Sequence, residues 1–184
     1  FGAGTKPKIK YLFKEKESKG YAYELANSSL DLLIFRQLPN YEEKFELIDF
    51  MVIVENKRRS SLGSGWRNDG SEHPILSEAT IKIKTKDEIF HTAAEGNGPV
   101  GALDNATRKA LIGTFPEINK IRLTDYIVRV VEEGTGTGAV VRVIIESSDD
   151  KEVWTTVGAS SNIIEATWIA LADSIEWFLI KNSK

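Results

Sequence analysis

The feature that most constrains the fold of this chain is an internal duplication. Residues 123–130 repeat the pattern of residues 47–54: both segments read Leu-x-Asp-aromatic-x-Val-x-Val, at an offset of 76 residues. A later pair of positions repeats at an offset of 64 residues, with Trp154 and Thr156 in the places of Phe90 and Thr92. The sequence therefore indicates two copies of one structural unit, with a longer connection in the first copy.

Each copy predicts three strands followed by one helix, because apolar residues alternate with a period of two and then recur at helical spacing. The predicted strands are residues 47–54, 78–85, 89–94, 123–130, 139–146 and 153–158, and the helices begin at Pro99 and Ile163. Polar residues 56–74 and the glycine-rich residues 134–138 predict loops. We predict an α+β fold of two tandem βββα modules, residues 45–118 and 119–184, related by an internal pseudo-two-fold axis.

Residues 1–44 predict a small helical linker ahead of the modules. Helical patterns over Ile9–Lys19 and Tyr21–Leu38 are separated by Gly20, and Pro39 ends the second one. Because the chain begins with Phe1 rather than Met, we expect this linker to connect to a further domain upstream.

Composition and charge exclude several classes of function. The 184 residues carry a formal net charge of −3, so nothing favours binding to nucleic acid or to an anionic membrane. The chain has no cysteine, which removes disulfides, thiolate nucleophiles and Cys-bound metals. His73 and His91 lack metal-ligand spacing, and Asp149 and Asp150 predict a hairpin turn. We predict no catalytic residue, no bound metal and no cofactor here.

The start of the first helix is a candidate site for a small anion. Gly96-Asn97-Gly98-Pro99 follows a predicted strand, and Pro99 suits the first helical position. Glycines without a Cβ let an anion approach the free N–H groups at the positive end of the helix dipole. The alternative is that these glycines only form a tight turn.

The start of the second helix is a further place for a carboxylate. Asn162 is the predicted N-cap, and Glu165 follows three residues later as in a capping box.

Two further features match the remaining parts of an amino acid. Asp104 is a candidate partner for an ammonium group; the alternative is an acid that complements the helix dipole. Tyr126, Val128 and Val130 share one strand face, and are either the lining of an apolar pocket or part of the core. Together with the carboxylate site, these features describe a branched-chain amino acid.

The segments that carry these features resemble the C-terminal regulatory domain of the 2-isopropylmalate synthase and citramalate synthase family. The resemblance rests on residues 94–106 with Gly-Asn-Gly-Pro, on residues 123–130 and 141–147, and on residues 154–168 with Asn-Ile-Ile-Glu-Ala. It covers residues 45–180, and the segment from Gly20 to Leu33 looks most like the citramalate synthase branch.

The resemblance implies a dimeric domain that binds an end-product amino acid near the dimer interface. The expected effector is isoleucine for a citramalate synthase and leucine for a 2-isopropylmalate synthase. The implied effector-binding positions are Gly96, Asn97, Gly98, Leu103, Asp104, Leu123, Tyr126, Val130, Thr135, Thr137, Val140, Ala159 and Ser161. The turn from Thr135 to Gly138 contains more glycine than the family pattern, which affects the two threonine assignments.

The resemblance also implies a parent enzyme whose catalytic barrel lies outside this chain. That barrel would use a divalent metal to condense acetyl-CoA with pyruvate, or with 2-oxoisovalerate in the leucine branch. We expect this chain to be catalytically inert, cytoplasmic, and partnered by the catalytic domain and a second copy of itself. A dimerisation module without a ligand is the alternative function, and the residues alone leave isoleucine and leucine both open.

Overall fold

The computed structural model describes residues 5–55, 76–86, 88–131 and 139–182. The helices in these ranges are α1 (Thr5–Ser18), α2 (Asn27–Phe35), α3 (Pro99–Leu111) and α4 (Ile163–Asn182). The strands are β1 (Glu46–Glu55), β2 (Leu76–Lys84), β3 (Ile89–Gly96), β4 (Arg122–Val130), β5 (Val141–Ser148) and β6 (Val153–Ser160). Two 3₁₀ turns cover Tyr23–Leu25 and Pro116–Lys120.

The tandem βββα fold predicted from the duplication is confirmed. One antiparallel sheet has the strand order β1-β2-β3 and is followed by α3, and the other has the order β4-β5-β6 and is followed by α4. The first strand of each copy also has a shift in hydrogen-bonding register at the same place. The shift lies between Leu47 and Asp49 in β1 and between Leu123 and Asp125 in β4.

The helix of each module lies against its third strand in the same way. The hydroxyl of Thr92 donates to the carbonyl of Ala106 at 2.9 Å, and the hydroxyl of Thr156 donates to the carbonyl of Ala170 at 2.7 Å. Small side chains permit this close approach: a Cβ on Gly158 would lie only 2.0 Å from the carbonyl oxygen of Ala166.

The chain divides into two compact units. The first unit is Glu46–Thr114, which holds the first module. The second unit combines Phe1–Phe45 with Phe115–Lys184, so the linker packs with the second module.

Several predicted boundaries differ from the structure, most of them by one to three residues, and two predicted loops cannot be compared with it. The predicted helix Tyr21–Leu38 is wrong at its start, where a 3₁₀ turn precedes α2 because Tyr21 and Tyr23 are buried in the core of the second unit. Helix α1 begins at Thr5, ahead of the predicted Ile9, and β5 begins at Val141, two residues later than predicted. The predicted loops 56–74 and 134–138 lie outside the described residues.

The linker covers part of one face of the second sheet. The side chains of Tyr21 and Tyr23 pack with Ile144 and Val157 on the face away from α4, called the outer face below; the face that α4 covers is called the helix face. Desolvation raises the pKa of the Tyr21 hydroxyl to about 12. The linker is therefore part of the core of the second unit.

A buried polar network also joins the linker to α4. Arg36 donates to Asp173 at 2.8 Å and bonds Glu176, which also accepts from the hydroxyl of Tyr41. The hydroxyl of Ser29 donates to Asp173 at 2.7 Å. We call these five residues the α2–α4 clamp.

The clamp also bonds strand β6, and it changes the pKa of the Asp173 carboxyl. The backbone N–H of Val157 donates to Ser29 Oγ at 3.0 Å, which satisfies a donor on the free edge of β6. Burial raises the pKa of the Asp173 carboxyl, and the charge of Arg36 and the hydrogen bond from Ser29 act in the opposite direction. Arg36 therefore offsets part of the cost of burying the charged form of Asp173.

Replacing Gly158 by Ala tests the close packing of β6 on α4. The added methyl group would collide with the Ala166 carbonyl, so we expect G158A to lower the free energy of unfolding by about 3 kcal/mol. In the control G101A, the methyl group meets nothing within 4 Å and enters a helix. Urea denaturation should show G101A unchanged or stabilised by up to about 1 kcal/mol. Equal stability of G158A and the wild type would contradict this packing.

Replacing Arg36 by Met tests the clamp. The change leaves two buried carboxylates without their cation, and we expect a loss of about 3 kcal/mol near pH 7.5. This is the low end of the usual range, because the Arg36 side chain is 37% exposed. Without Arg36, the folded-state pKa of Asp173 rises further above its unfolded value of about 3.9. The stability that protonation contributes is then lost as the pH rises through that folded-state pKa.

The destabilisation of R36M should consequently be larger at pH 7.5 than at pH 4.5, as measured by urea denaturation at both values. Arg122→Met is the matched control, because Arg122 pairs with Asp150 on the exposed surface. Such a pair contributes little in solution, so R122M should unfold like the wild type at both pH values. A loss in R36M that is independent of pH would contradict the assigned role of Asp173.

Candidate functional site

The predicted effector-binding residues divide between the two units. Gly96, Asn97, Gly98, Leu103 and Asp104 belong to the first unit, and Leu123, Tyr126, Val130, Val140, Ala159 and Ser161 belong to the second. Thr135 and Thr137 lie outside the described residues. The two groups are described within their own units.

The start of α3 has no side-chain cap. Gly98 is the N-cap in an extended conformation (φ −176°, ψ 172°), and its carbonyl accepts the first helical hydrogen bond from Ala102 at 2.9 Å. Among the described residues, no side chain bonds the N–H groups of the first turn, which are the groups that an anion can accept from. This helix start is therefore chemically able to hold a carboxylate.

The two glycines ahead of α3 have different reasons to be glycine. A Cβ on Gly96 would lie 2.3 Å from the backbone nitrogen of Ala102, so close packing requires glycine there. A Cβ on Gly98 would meet none of the described residues within 4 Å, and an extended φ is open to any residue. The tight-turn interpretation therefore explains Gly96 and leaves the space beside Gly98 for another purpose.

The other predicted residues of α3 are already engaged. Both carboxylate oxygens of Asp104 accept from Arg108 Nε at 2.9 Å, so an ammonium group would have to compete with this guanidinium. Leu103 is fully buried in the first unit. The roles of both residues in effector binding stay predictions.

The face shared by Tyr126, Val128 and Val130 is the helix face of the second sheet. The hydroxyl of Tyr126 shares a hydrogen bond of 2.6 Å with Thr167 on α4, and burial raises its pKa. Val128 is 39% exposed and Val130 is 63% exposed, so the interpretation of these two valines as core is wrong. Exposed apolar side chains beside a partly buried phenol form a surface suited to an aliphatic ligand.

The start of α4 differs from that of α3 because its own side chains occupy it. Asn162 Oδ1 accepts from the N–H of Ile164 at 2.9 Å, which confirms Asn162 as the N-cap. Glu165 accepts from the hydroxyl of Ser160, which also accepts from the N–H of Asn162 at 3.0 Å. The expectation that this second helix start receives a carboxylate is not supported, since the N–H groups of Asn162, Ile164 and Glu165 already bond side-chain oxygens.

Two predicted residues lie against the linker. A Cβ on Gly20, which has φ of +96°, would lie 2.8 Å from Val140 Cγ1 and 3.5 Å from the Cβ of Ala159. Arg142 lies opposite Ala159 in the sheet and bonds the carbonyl oxygen of Gly20 at 2.5 Å. Ala159 and Val140 therefore contact Gly20, whereas Tyr126 contacts α4. Val130, Val141 and Ser160 form one row at the end of the sheet that precedes Ser161.

The α2–α4 clamp is the feature that sequence reasoning missed. Its one signal is a pair of acids three residues apart, Asp173 and Glu176, in an otherwise apolar helix. Because a buried carboxylate is costly without a partner, two acids in a mostly apolar helix predict a cationic side chain packed against them.

Two searches of the described residues were negative. They contain no cluster of three or more His, Asp or Glu side chains arranged to hold a metal ion. Within the same ranges, none of the helices combines the length and the apolar character needed to cross a membrane.

Comparison with known proteins identifies the family. The family model of the LeuA allosteric (dimerisation) domain matches residues 24–179. The (R)-citramalate synthase of Geobacter sulfurreducens is 44% identical over 171 residues, which cover 93% of this chain and 30% of that protein. The (R)-citramalate synthase of Aquifex aeolicus is 42% identical over 181 residues, which cover 97% of this chain and 32% of that protein.

A relative from the other branch matches less of the chain. The 2-isopropylmalate synthase of Methanocaldococcus jannaschii is 34% identical over 110 residues, which cover 60% of this chain and 20% of that protein. The chain spans about a third of the length of the citramalate synthases that it matches. On these matches and on its two βββα modules, the chain belongs to the LeuA allosteric (dimerisation) domain family.

Proposed function

We propose that this chain is the regulatory domain of a citramalate synthase and that it binds isoleucine for feedback inhibition. The observation that carries the proposal is the uncapped start of α3, with open space beside Gly98, in a chain that belongs to an allosteric domain family. The two relatives most similar in the comparison above are both named (R)-citramalate synthase, which favours isoleucine as the effector.

Each unit carries elements that are chemically suited to part of an amino acid. The first-turn N–H groups of α3 would donate hydrogen bonds to the carboxylate. In the second unit, the Tyr126, Val128 and Val130 face is a separate apolar surface that suits an aliphatic group. Asp104 would supply a negative charge near the ammonium group by sharing or exchanging Arg108.

The parent enzyme of this proposal condenses acetyl-CoA with pyruvate in a catalytic domain outside this chain. Feedback inhibition requires that isoleucine bind one arrangement of the dimeric enzyme more tightly than another, since equal affinity shifts nothing. This chain would act as the sensor and would take no part in the chemical step.

A second candidate function is the leucine-binding domain of a 2-isopropylmalate synthase. It is favoured by the match to the Methanocaldococcus jannaschii enzyme, which is 34% identical over part of this chain. The two aliphatic side chains are isomers, so the choice depends on the shape of the pocket rather than on its polarity.

Calorimetric titration with isoleucine and leucine tests the proposal. We expect saturable binding of isoleucine, with leucine weaker. In the variant Gly98→Ala, the methyl group enters the space proposed for the carboxylate, and isoleucine affinity should fall at least about tenfold, or about 1.4 kcal/mol. Gly113→Ala is the matched control, because its methyl group also meets nothing within 4 Å, and it should bind like the wild type.

The outcomes separate the candidate functions. Tighter binding of leucine than of isoleucine would favour the second candidate function, the leucine-binding domain of a 2-isopropylmalate synthase. If a folded dimer gives no heat and no thermal shift with either amino acid, the chain is a dimerisation module without a ligand. Equal affinities of G98A and the wild type for isoleucine would remove the start of α3 from the site.

A further inference from the structure

We propose that the free edge of β4 is the surface on which a second copy of this chain docks. In this arrangement, β4 pairs with β4 of the partner in an antiparallel manner, across a two-fold axis that passes through Ile127. The inference rests on the dimeric state in the proposed function, and adds the surface, the register and the residues that hold the two copies together.

The edge of β4 is open in the second unit. In the sheet order β4-β5-β6, β4 has a neighbour on one side only within the described residues. The other edge strand is protected, because Ser29 accepts the N–H of Val157 on β6. On β4, Ile127, Val128 and Val130 are 37%, 39% and 63% exposed. An exposed apolar edge strand is a template for pairing with another strand.

The hydrogen-bond pattern fixes which groups face the open edge. The N–H of Val131 donates to the carbonyl of Val140 at 2.9 Å, so the odd-numbered residues of β4 bond β5. The backbone groups of Tyr126, Val128 and Val130 therefore point to the free edge. Asp125 Oδ1 accepts the N–H of Tyr126 at 2.8 Å, so this carboxylate occupies one outward donor while the edge is unpaired.

The outer face next to this edge carries two rows of like charge. Asp125 lies opposite Glu146, and Arg129 lies opposite Arg142, with Ile127 and Ile144 between the two rows. Like charges directly opposite each other in a sheet are unfavourable. In the described residues, the salt bridges involve none of these four charged side chains. Among the described residues of the second unit, neither row therefore has an opposite charge in a salt bridge.

In a dimer with its two-fold axis at Ile127, the acidic row of each copy lies beside the basic row of the other. This register places Asp125 opposite Arg129 of the partner copy and Ile127 opposite its own copy, while Tyr126 and Val128 of the two chains exchange backbone hydrogen bonds. The acidic row of one sheet then continues into the basic row of the other, and the isoleucine rows join at the centre. Such a self-complementary patch is what an isologous interface requires.

Neighbouring registers lose this match. An axis at Val128 would also use the outward backbone groups, but it would set Asp125 against Val131 and Arg129 against Ile127. The charge pattern therefore selects one register among those that the backbone allows.

Strand β1 provides an internal comparison. At the offset of the duplication, Asp49 and Met51 correspond to Asp125 and Ile127, and Ile53 takes the place of Arg129. An antiparallel pair of β1 strands centred on Met51 would set Asp49 against Ile53 without a cation. Of these two related strands, only β4 has the self-complementary charges.

The outer face beside β4 also has room for a partner. A shallow cavity of about 170 Å³ lies between Leu25 of the linker and the side chains of Asp125, Ile127, Arg129, Ile144 and Glu146. The linker therefore leaves the β4 side of this face open, next to the edge that is proposed to pair.

A cysteine at Ile127 tests the pairing directly, because the chain has no native cysteine. At the centre of the proposed pair, the two Cα atoms would lie about 4.5 Å apart, within the range that a disulfide needs. Under oxidised glutathione, I127C should become a covalent dimer in non-reducing electrophoresis. The control M51C, which is 55% exposed at the matching position of β1, should remain mostly uncrosslinked.

Charge exchange gives an independent test that needs no disulfide. Asp125→Arg sets arginine against Arg129 of the partner twice in each dimer, and should raise the dimer dissociation constant at least about tenfold in sedimentation experiments. The double variant D125R/R129D restores opposite charges in the same register and should return the constant to within a few-fold of the wild type. Circular dichroism would check that each variant is folded.

The outcomes distinguish this surface from the proposed function. A wild-type dimer in which I127C is not crosslinked and D125R has no effect would place the interface elsewhere and leave the dimeric state intact. A wild-type chain that stays monomeric at all concentrations would overturn both the surface and the dimer. Isoleucine binding is read separately by calorimetry, so its loss or retention does not decide this test.

Discussion

The fold depends on the close contact between each helix and the third strand of its module. In both copies a threonine hydroxyl reaches a helix carbonyl fourteen residues later, and this is possible only because glycine and alanine lie between the two backbones. The contact fixes where each helix begins relative to the sheet. Within each unit this packing also positions the candidate effector groups, which are the start of α3 in the first unit and the face below α4 in the second.

The two copies differ at their helix starts and in their contacts with the linker. The start of α3 is uncapped beside Gly98, whereas Asn162 occupies the corresponding donors of α4. The second module is joined to the linker by the α2–α4 clamp, so a displacement of α4 would move α2 with it. Under the proposed function, the first copy would hold the effector and the second would connect to the linker, which is the division that an allosteric domain needs.

The duplication predicted the three strands and one helix of each module and the α+β class, because matched segments must adopt matched structures. Local patterns were less informative where tertiary contacts decide the outcome. The linker helix was predicted to begin at Tyr21, but burial of Tyr21 and Tyr23 against the sheet produces a 3₁₀ turn instead. The clamp was missed because Arg36 and Asp173 are far apart in sequence, and no local pattern joins them.

Hydrogen exchange followed by mass spectrometry would test the central claim, which is that an amino acid binds at the uncapped start of α3. With saturating isoleucine, amide exchange should slow in the first turn of α3, at Val100 to Ala102, and along β4 around Tyr126. The first turn of α4, whose donors are already bonded to side chains, should change less. Unchanged exchange at the start of α3, in a sample that binds isoleucine, would contradict the account.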